Sequence, residues 1–111
     1  VEQGLTEAEK GRDLLFHGAP AVIIVHSDME GSLPLEDGQY AAYNITLMAH
    51  AMGLGTCFIG YASETLNKSK KIKKSINIPE RNRVLAVLTV GYPDISYERF
   101  ALRKNYRAEF I

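Results

Sequence analysis

Four groups of residues in this sequence could do chemistry. The segment GLGTCFIG at 53–60 looks like a glycine-rich phosphate loop. A dinucleotide loop, however, follows a strand and opens a helix, so that the helix N-terminus meets the phosphate. Here the glycines follow a helical pattern and open a strand, so Gly53 and Gly55 read as a helix cap and a turn. Gly60 is different, because it interrupts a strand end where a ligand or another backbone can come close. Cys57 could be a nucleophile with His50 or His26, but its neighbours are apolar and it reads as a small buried hydrophobe. The histidines His17, His26 and His50 lack metal-ligand spacing, so no metal site is expected.

Two basic clusters complete the set. Lys68, Lys70, Lys71, Lys73 and Lys74 could contact nucleic acid, but no aromatic residues interleave with them. They read as a solvated helix face whose last members offset the macrodipole. Arg99, Arg103, Lys104 and Arg107 lie beside Tyr97 and Phe100. Guanidinium forks suit bidentate phosphate binding, and a charged edge strand that resists aggregation needs the same residues.

The elements that must position these groups follow from pattern. Residues 5–16 suit a short helix, with Thr6 and Glu9 spaced as a capping box. AVIIVH at 21–26 suits a strand buried on both faces. Asp37 can cap a helix over 38–52 whose apolar residues cover nearly its whole circumference. A helix apolar all round must be enclosed, and part of its cover is expected from another chain or segment. Gly53 ends it. A strand over 55–60 and a helix over 64–76 follow, the helix capped by Ser63 and closed by Asn77 and Pro79. The inner stripe of that helix is Leu66, Ser69, Ile72 or Lys73, and Ile76. RVLAVLTVGY at 83–92 is a second buried strand, and Tyr106, Ala108 and Phe110 alternate with charges as an edge strand would. The fold class is therefore α+β: a mixed sheet flanked by helices, incomplete as a single chain.

The 111 residues, 46% hydrophobic, fit one globular domain, 1–111. The formal net charge of zero hides an asymmetry. Residues 1–67 hold two bases against nine acids, and residues 68–111 hold eleven bases against four. Anion sites should draw on the second half. One cysteine excludes an internal disulfide framework and suits a reducing compartment, which points to the cytoplasm. No apolar run reaches membrane-spanning length, and the first residues lack the pattern of a signal peptide.

Three segments together resemble the flavin-dependent nitroreductase family: GAPAVIIVH at 18–26, AAYNITLMAHAMGLGTCFIGY at 41–61, and NIPERNRVLAVLTVGYP followed by YERFALRK within 77–104. The resemblance covers most of the chain. It implies FMN as cofactor, with electrons passed from NAD(P)H to a nitro compound, quinone or related small-molecule acceptor. It places the isoalloxazine ring along Cys57, Phe58, Ile59 and Gly60, with backbone N–H groups as donors and no side-chain acid or base. It places the FMN phosphate on Arg99, then Arg103. It implies a homodimer built on the buried helix, with the tail 94–111 lying on the partner subunit, and neither nucleic acid nor a membrane as partner. Family members are longer and open with an arginine-rich segment, which this sequence lacks. The chain is therefore expected to be the C-terminal portion of such an enzyme. The alternative is a truncated, non-catalytic module of the same fold that dimerises without flavin.

Overall fold

The computed structural model describes residues 11, 13–105 and 107–111. The expected helix over 5–16, with Thr6 and Glu9, lies largely outside them. The described part begins with a turn that Asp13 organises. Its carboxylate accepts the N–H groups of Leu15 (3.0 Å), Phe16 (2.8 Å) and Gly18 (3.2 Å). The Phe16 N–H above all holds the Asp13 carboxyl below its ordinary value; burial opposes this, and Gly18, Leu15 and His17 add to the lowering. A depressed folded pKa stabilises above the unfolded value, about 3.9, and that contribution disappears as pH falls through the lower folded value. Protection of the Phe16 amide from hydrogen exchange should therefore fall in that acid window, and Asp13→Asn should abolish the pH dependence.

Three strands follow: β1 (Ala21–Ser27), β2 (Gly55–Phe58) and β3 (Arg83–Gly91). Three helices separate them: α1 (Pro34–Ala51), α2 (Gly60–Lys68) and α3 (Lys70–Ser75). The strand order is β1-β3-β2, with β3 antiparallel to both neighbours. The α+β class holds. Both described pairings are antiparallel, where a mixed sheet was expected. The physical reason is the split β-α-β connection: β1 and β2 run the same way but do not touch, because β3 sits between them.

β3 is the buried strand that its sequence predicts. Val84, Ala86, Val87, Leu88 and Thr89 are all buried. It carries a bulge: Val25 lies opposite Ala86 and His26 opposite Val84, which leaves Leu85 as the extra residue. The bulge resets the alternation, so one strand feeds two cores. Val84 and Val87 pack with Ala62, Leu66 and Ile78. Ala86 and Leu88 pack with Ala42 of α1. The sheet is thus a middle layer between α1 and the α2–α3 pair. β1, expected to be buried on both faces, is only partly buried because it is an edge strand covered along part of its length.

α1 starts one turn earlier than expected. Pro34 takes the first helical position, where a missing N–H costs nothing, and Glu36 and Asp37 lie in the first turn as favourable charge rather than as the cap. Its end is as predicted. Gly53 adopts φ 75°, Leu54 N–H donates to Ala49 O (2.8 Å) and Gly53 N–H to His50 O (3.0 Å), a Schellman closure. Gly38 is buried against β3, and a Cβ there would lie 2.9 Å from Leu85 Cβ. Gly38→Ala gains about 1 kcal/mol of helix propensity but meets an overpacking cost of roughly 1–3 kcal/mol. A net loss of about 1 kcal/mol is expected, read as a lower urea midpoint.

The single helix expected over 64–76 is two. Ser69 breaks it and caps the second piece, accepting the Ile72 N–H on its Oγ (3.3 Å). Asn77 closes α3 at φ 59°, with Ile78 N–H donating to Lys73 O (2.9 Å). The break turns Lys73 inward. It is 6% exposed, and its Nζ donates to Asn82 O (2.7 Å) and Glu80 O (3.1 Å). Lys73 is therefore the inner-stripe residue and not part of a solvated face, while Ile72 and Ile76 are exposed. Lys73→Met should cost about 2 kcal/mol, because two carbonyls lose their donor. Lys74→Met should stay within about 0.5 kcal/mol in the same denaturation series. The tail beyond Gly91 forms no strand among the described residues. Its apolar side chains, Tyr97, Phe100, Leu102 and Phe110, are exposed, and the expected edge strand is not formed among them; Tyr106 lies outside the described residues.

Candidate functional site

β2 ends at Phe58, Ile59 follows as the N-cap residue, and Gly60 opens α2. Gly60 thus begins a helix rather than ending a strand. The strand-to-helix junction that the glycine-rich segment lacks at Gly53 and Gly55 is realised at its far end.

The junction sorts the backbone donors. Ile59 N–H donates to Val87 O at 2.8 Å. Cys57 lies opposite Thr89 in the same ladder, so alternation turns its N–H toward β3 as well. Phe58 N–H, between them, points to the open edge of the sheet. Gly60 and Tyr61 occupy the first helical positions, whose N–H groups have no acceptor within the helix. Ala62 and Ser63 N–H both return to Ile59 O, at 3.1 and 3.3 Å. Ser63 is therefore inside α2 rather than its cap. The first turn carries no acidic residue and no side-chain cap, so the positive end of the helix dipole is not neutralised.

The surroundings are open. A Cβ on Gly60 would meet nothing within 4 Å. Phe58 and Tyr61 flank it, Tyr61 being 70% exposed. Ile59 is half-buried and anchors the junction against the α2-side core. Cys57 is exposed, not buried, because β2 is an edge strand with no element across its outer side. The junction can therefore present unpaired N–H donors to the carbonyl or ring-nitrogen edge of a planar ligand. Tyr61 was not singled out in the sequence. Its signal is its place directly after a helix-opening glycine.

The arginines stand elsewhere. Arg99 and Arg103 are exposed in the tail, and neither has a hydrogen-bond or ion-pair partner among the described residues. No group of three or more His, Cys, Asp or Glu close enough to hold a metal occurs among the described residues. No helix among them is long and apolar enough to cross a membrane.

The fold has counterparts among solved structures. The Nitroreductase family model matches residues 1–92, and the chain belongs to that family. No protein of curated function matches it. An FMN-dependent nitroreductase from Clostridium difficile R20291 is 27% identical, with a TM-score of 0.61 over 77% of this chain and 52% of its own. A second one from the same organism is 25% identical, with a TM-score of 0.64 over 96% of this chain and 70% of its own. A nitroreductase with bound FMN from Bacteroides fragilis NCTC 9343 shares the fold at 22% identity, with a TM-score of 0.65 over 94% of this chain and 57% of its own. The chain thus spans about half of the first of these relatives.

Proposed function

We propose that this chain is the C-terminal, ring-binding portion of an FMN-dependent oxidoreductase of the cytoplasm. It takes electrons from NAD(P)H and passes them to a nitro compound, quinone or related acceptor. The observation that carries the reading is the β2–α2 junction, where the N–H groups of Phe58, Gly60 and Tyr61 are unpaired beside open space at Gly60. When bound, FMN supplies the hydride chemistry. The chain's residues supply positioning and charge. Of the expected set, Cys57 and Ile59 shape the strand, their N–H groups being turned to β3. Phe58 and Gly60, joined by Tyr61, donate to the acceptor edge of the ring. The helix N-terminus favours the negative charge that develops there on reduction. Arg99 and then Arg103 hold the phosphate, which requires the tail 94–111 to be ordered against a second subunit.

The exposed face of α1 supports reading the chain as a homodimer. Tyr40, Tyr43, Leu47, Met48 and Met52 are exposed along it, an apolar face larger than a monomer normally leaves to water. A second copy of the chain covers it in this reading. The expected result of titrating the dimeric chain into FMN is saturable quenching of flavin fluorescence at one flavin per subunit. A second reading, the non-catalytic module, is favoured by the unpacked tail arginines. It predicts a dimer by sedimentation with no quenching, and that outcome would remove the first.

A further inference from the structure

Between α3 and the loop that follows it lies a groove of about 580 Å³, within the size range of small-molecule sites. Lys70, Lys71 and Lys74 line it with Asn77 and Glu80. Lys73 is turned away from solvent, and its Nζ ties the backbone of Glu80 and Asn82 to the helix. This buried tie holds the groove wall without spending the other lysines. Lys70 pairs with Glu80, and neither Lys71 nor Lys74 has a partner among the described residues. Three ammonium groups against one carboxylate leave the groove with an excess of two positive charges.

The chemistry narrows the ligand. Lysine ammonium groups bind phosphate oxygens as point charges, without the planar match that arginine demands. Among the described residues no aromatic side chain lines the groove, so they offer nothing on which a base can stack. A concave site of this size takes a compact anion rather than a long one. We infer that this groove binds a pair of linked phosphates, as in pyrophosphate or the diphosphate of a nucleotide. It is separate from the Gly60 donors: α2 lies between, nine residues and about 13 Å of helical rise.

The test is a titration of the full chain with pyrophosphate at constant ionic strength, followed through the backbone amides of residues 70–80 by NMR. Saturable shifts are expected. The double variant Lys71→Ala/Lys74→Ala should weaken binding by at least about 10-fold. Glu80→Gln should tighten it, since it removes the one carboxylate among the described residues that line the groove. ADP shifting the same amides would identify a nucleotide diphosphate as a source, and pyrophosphate alone would identify the free anion. Three results would overturn the inference: no saturation up to about 10 mM, an equal response to sulfate, or RNA binding with no response to pyrophosphate. FMN quenching, read in parallel, should not change in these variants, so failure here and failure of the flavin reading are distinguishable.

Discussion

Gly60→Val is expected to raise the dissociation constant for FMN by about 100-fold, equivalent to about 2.7 kcal/mol, without moving the urea midpoint. The two halves of this expectation have separate causes. Among the described residues, nothing beyond its own neighbours and helix backbone lies within 4 Å of a Cβ at Gly60, so the folded protein accepts the side chain. An exposed first-turn position also tolerates most residues, and the change in stability should stay within about 0.5 kcal/mol. The ligand has no such freedom. A branched side chain would occupy the space through which the Gly60 and Tyr61 N–H groups are reached. Fluorescence quenching and urea denaturation of the same variant check both halves. Unchanged affinity would remove Gly60 from the site, whatever else binds flavin.

Leu88→Ala is expected to cost about 3 kcal/mol, a large share of the roughly 5–15 kcal/mol available to a domain of this size. Leu88 is 0% exposed. It sits at the centre of β3, opposite Ile23 of β1 and Phe58 of β2. It shares a cluster with Ala42 and Ala86, too small to refill the space a truncation leaves, and with Val25 and Ile45 packed against them. A cavity term therefore adds to the lost transfer energy. Thermal or urea unfolding measures the loss. Because Phe58 is paired directly opposite, the variant should also weaken flavin binding; the lowered urea midpoint, absent in Gly60→Val, separates the two.

Much of this was legible in the sequence, and the failures share a cause. The strand RVLAVLTVG reads correctly because it is apolar on both faces and buried on both faces. The Gly53 and Asn77 closures read correctly because left-handed positions select those residues. Local pattern failed where tertiary contacts decide. Gly60 reads as a strand end, but Ile59 N–H makes the last ladder bond, to Val87 O, and α2 begins at the next residue. Ser63 reads as a cap because its type is right, but its N–H is already satisfied by Ile59 O. Lys73 reads as solvent-facing by charge and as one of two inner-stripe candidates by spacing, and the loop carbonyls at Glu80 and Asn82 explain why it, not Ile72, is buried. Cys57 reads as buried by its apolar neighbours, yet an edge strand shows one side to water. The arginine pair carries the right chemistry, and no local signal says what would order the tail around it.

Asn67 shows how the missing length of β2 is made good. Its side-chain amide donates to Val84 O (2.8 Å) and its Oδ1 accepts Val84 N–H (2.8 Å). A helical side chain thus completes the β3 ladder where β2 has run out, and the central strand keeps its backbone bonds satisfied on that side.

The strand order has a consequence for how the chain comes together. β1 and β2 precede β3 in sequence, and neither touches the other. During synthesis, no pair of sheet strands exists until residues near 91 have been made. β1, α1 and β2 must wait as separate segments, with their apolar faces unsatisfied. Every sheet contact is closed by the last strand, and β1 meets β3 across some sixty intervening residues. Such late, long closure makes folding slow and all-or-none. A chain interrupted before β3 has no sheet at all, rather than a smaller one.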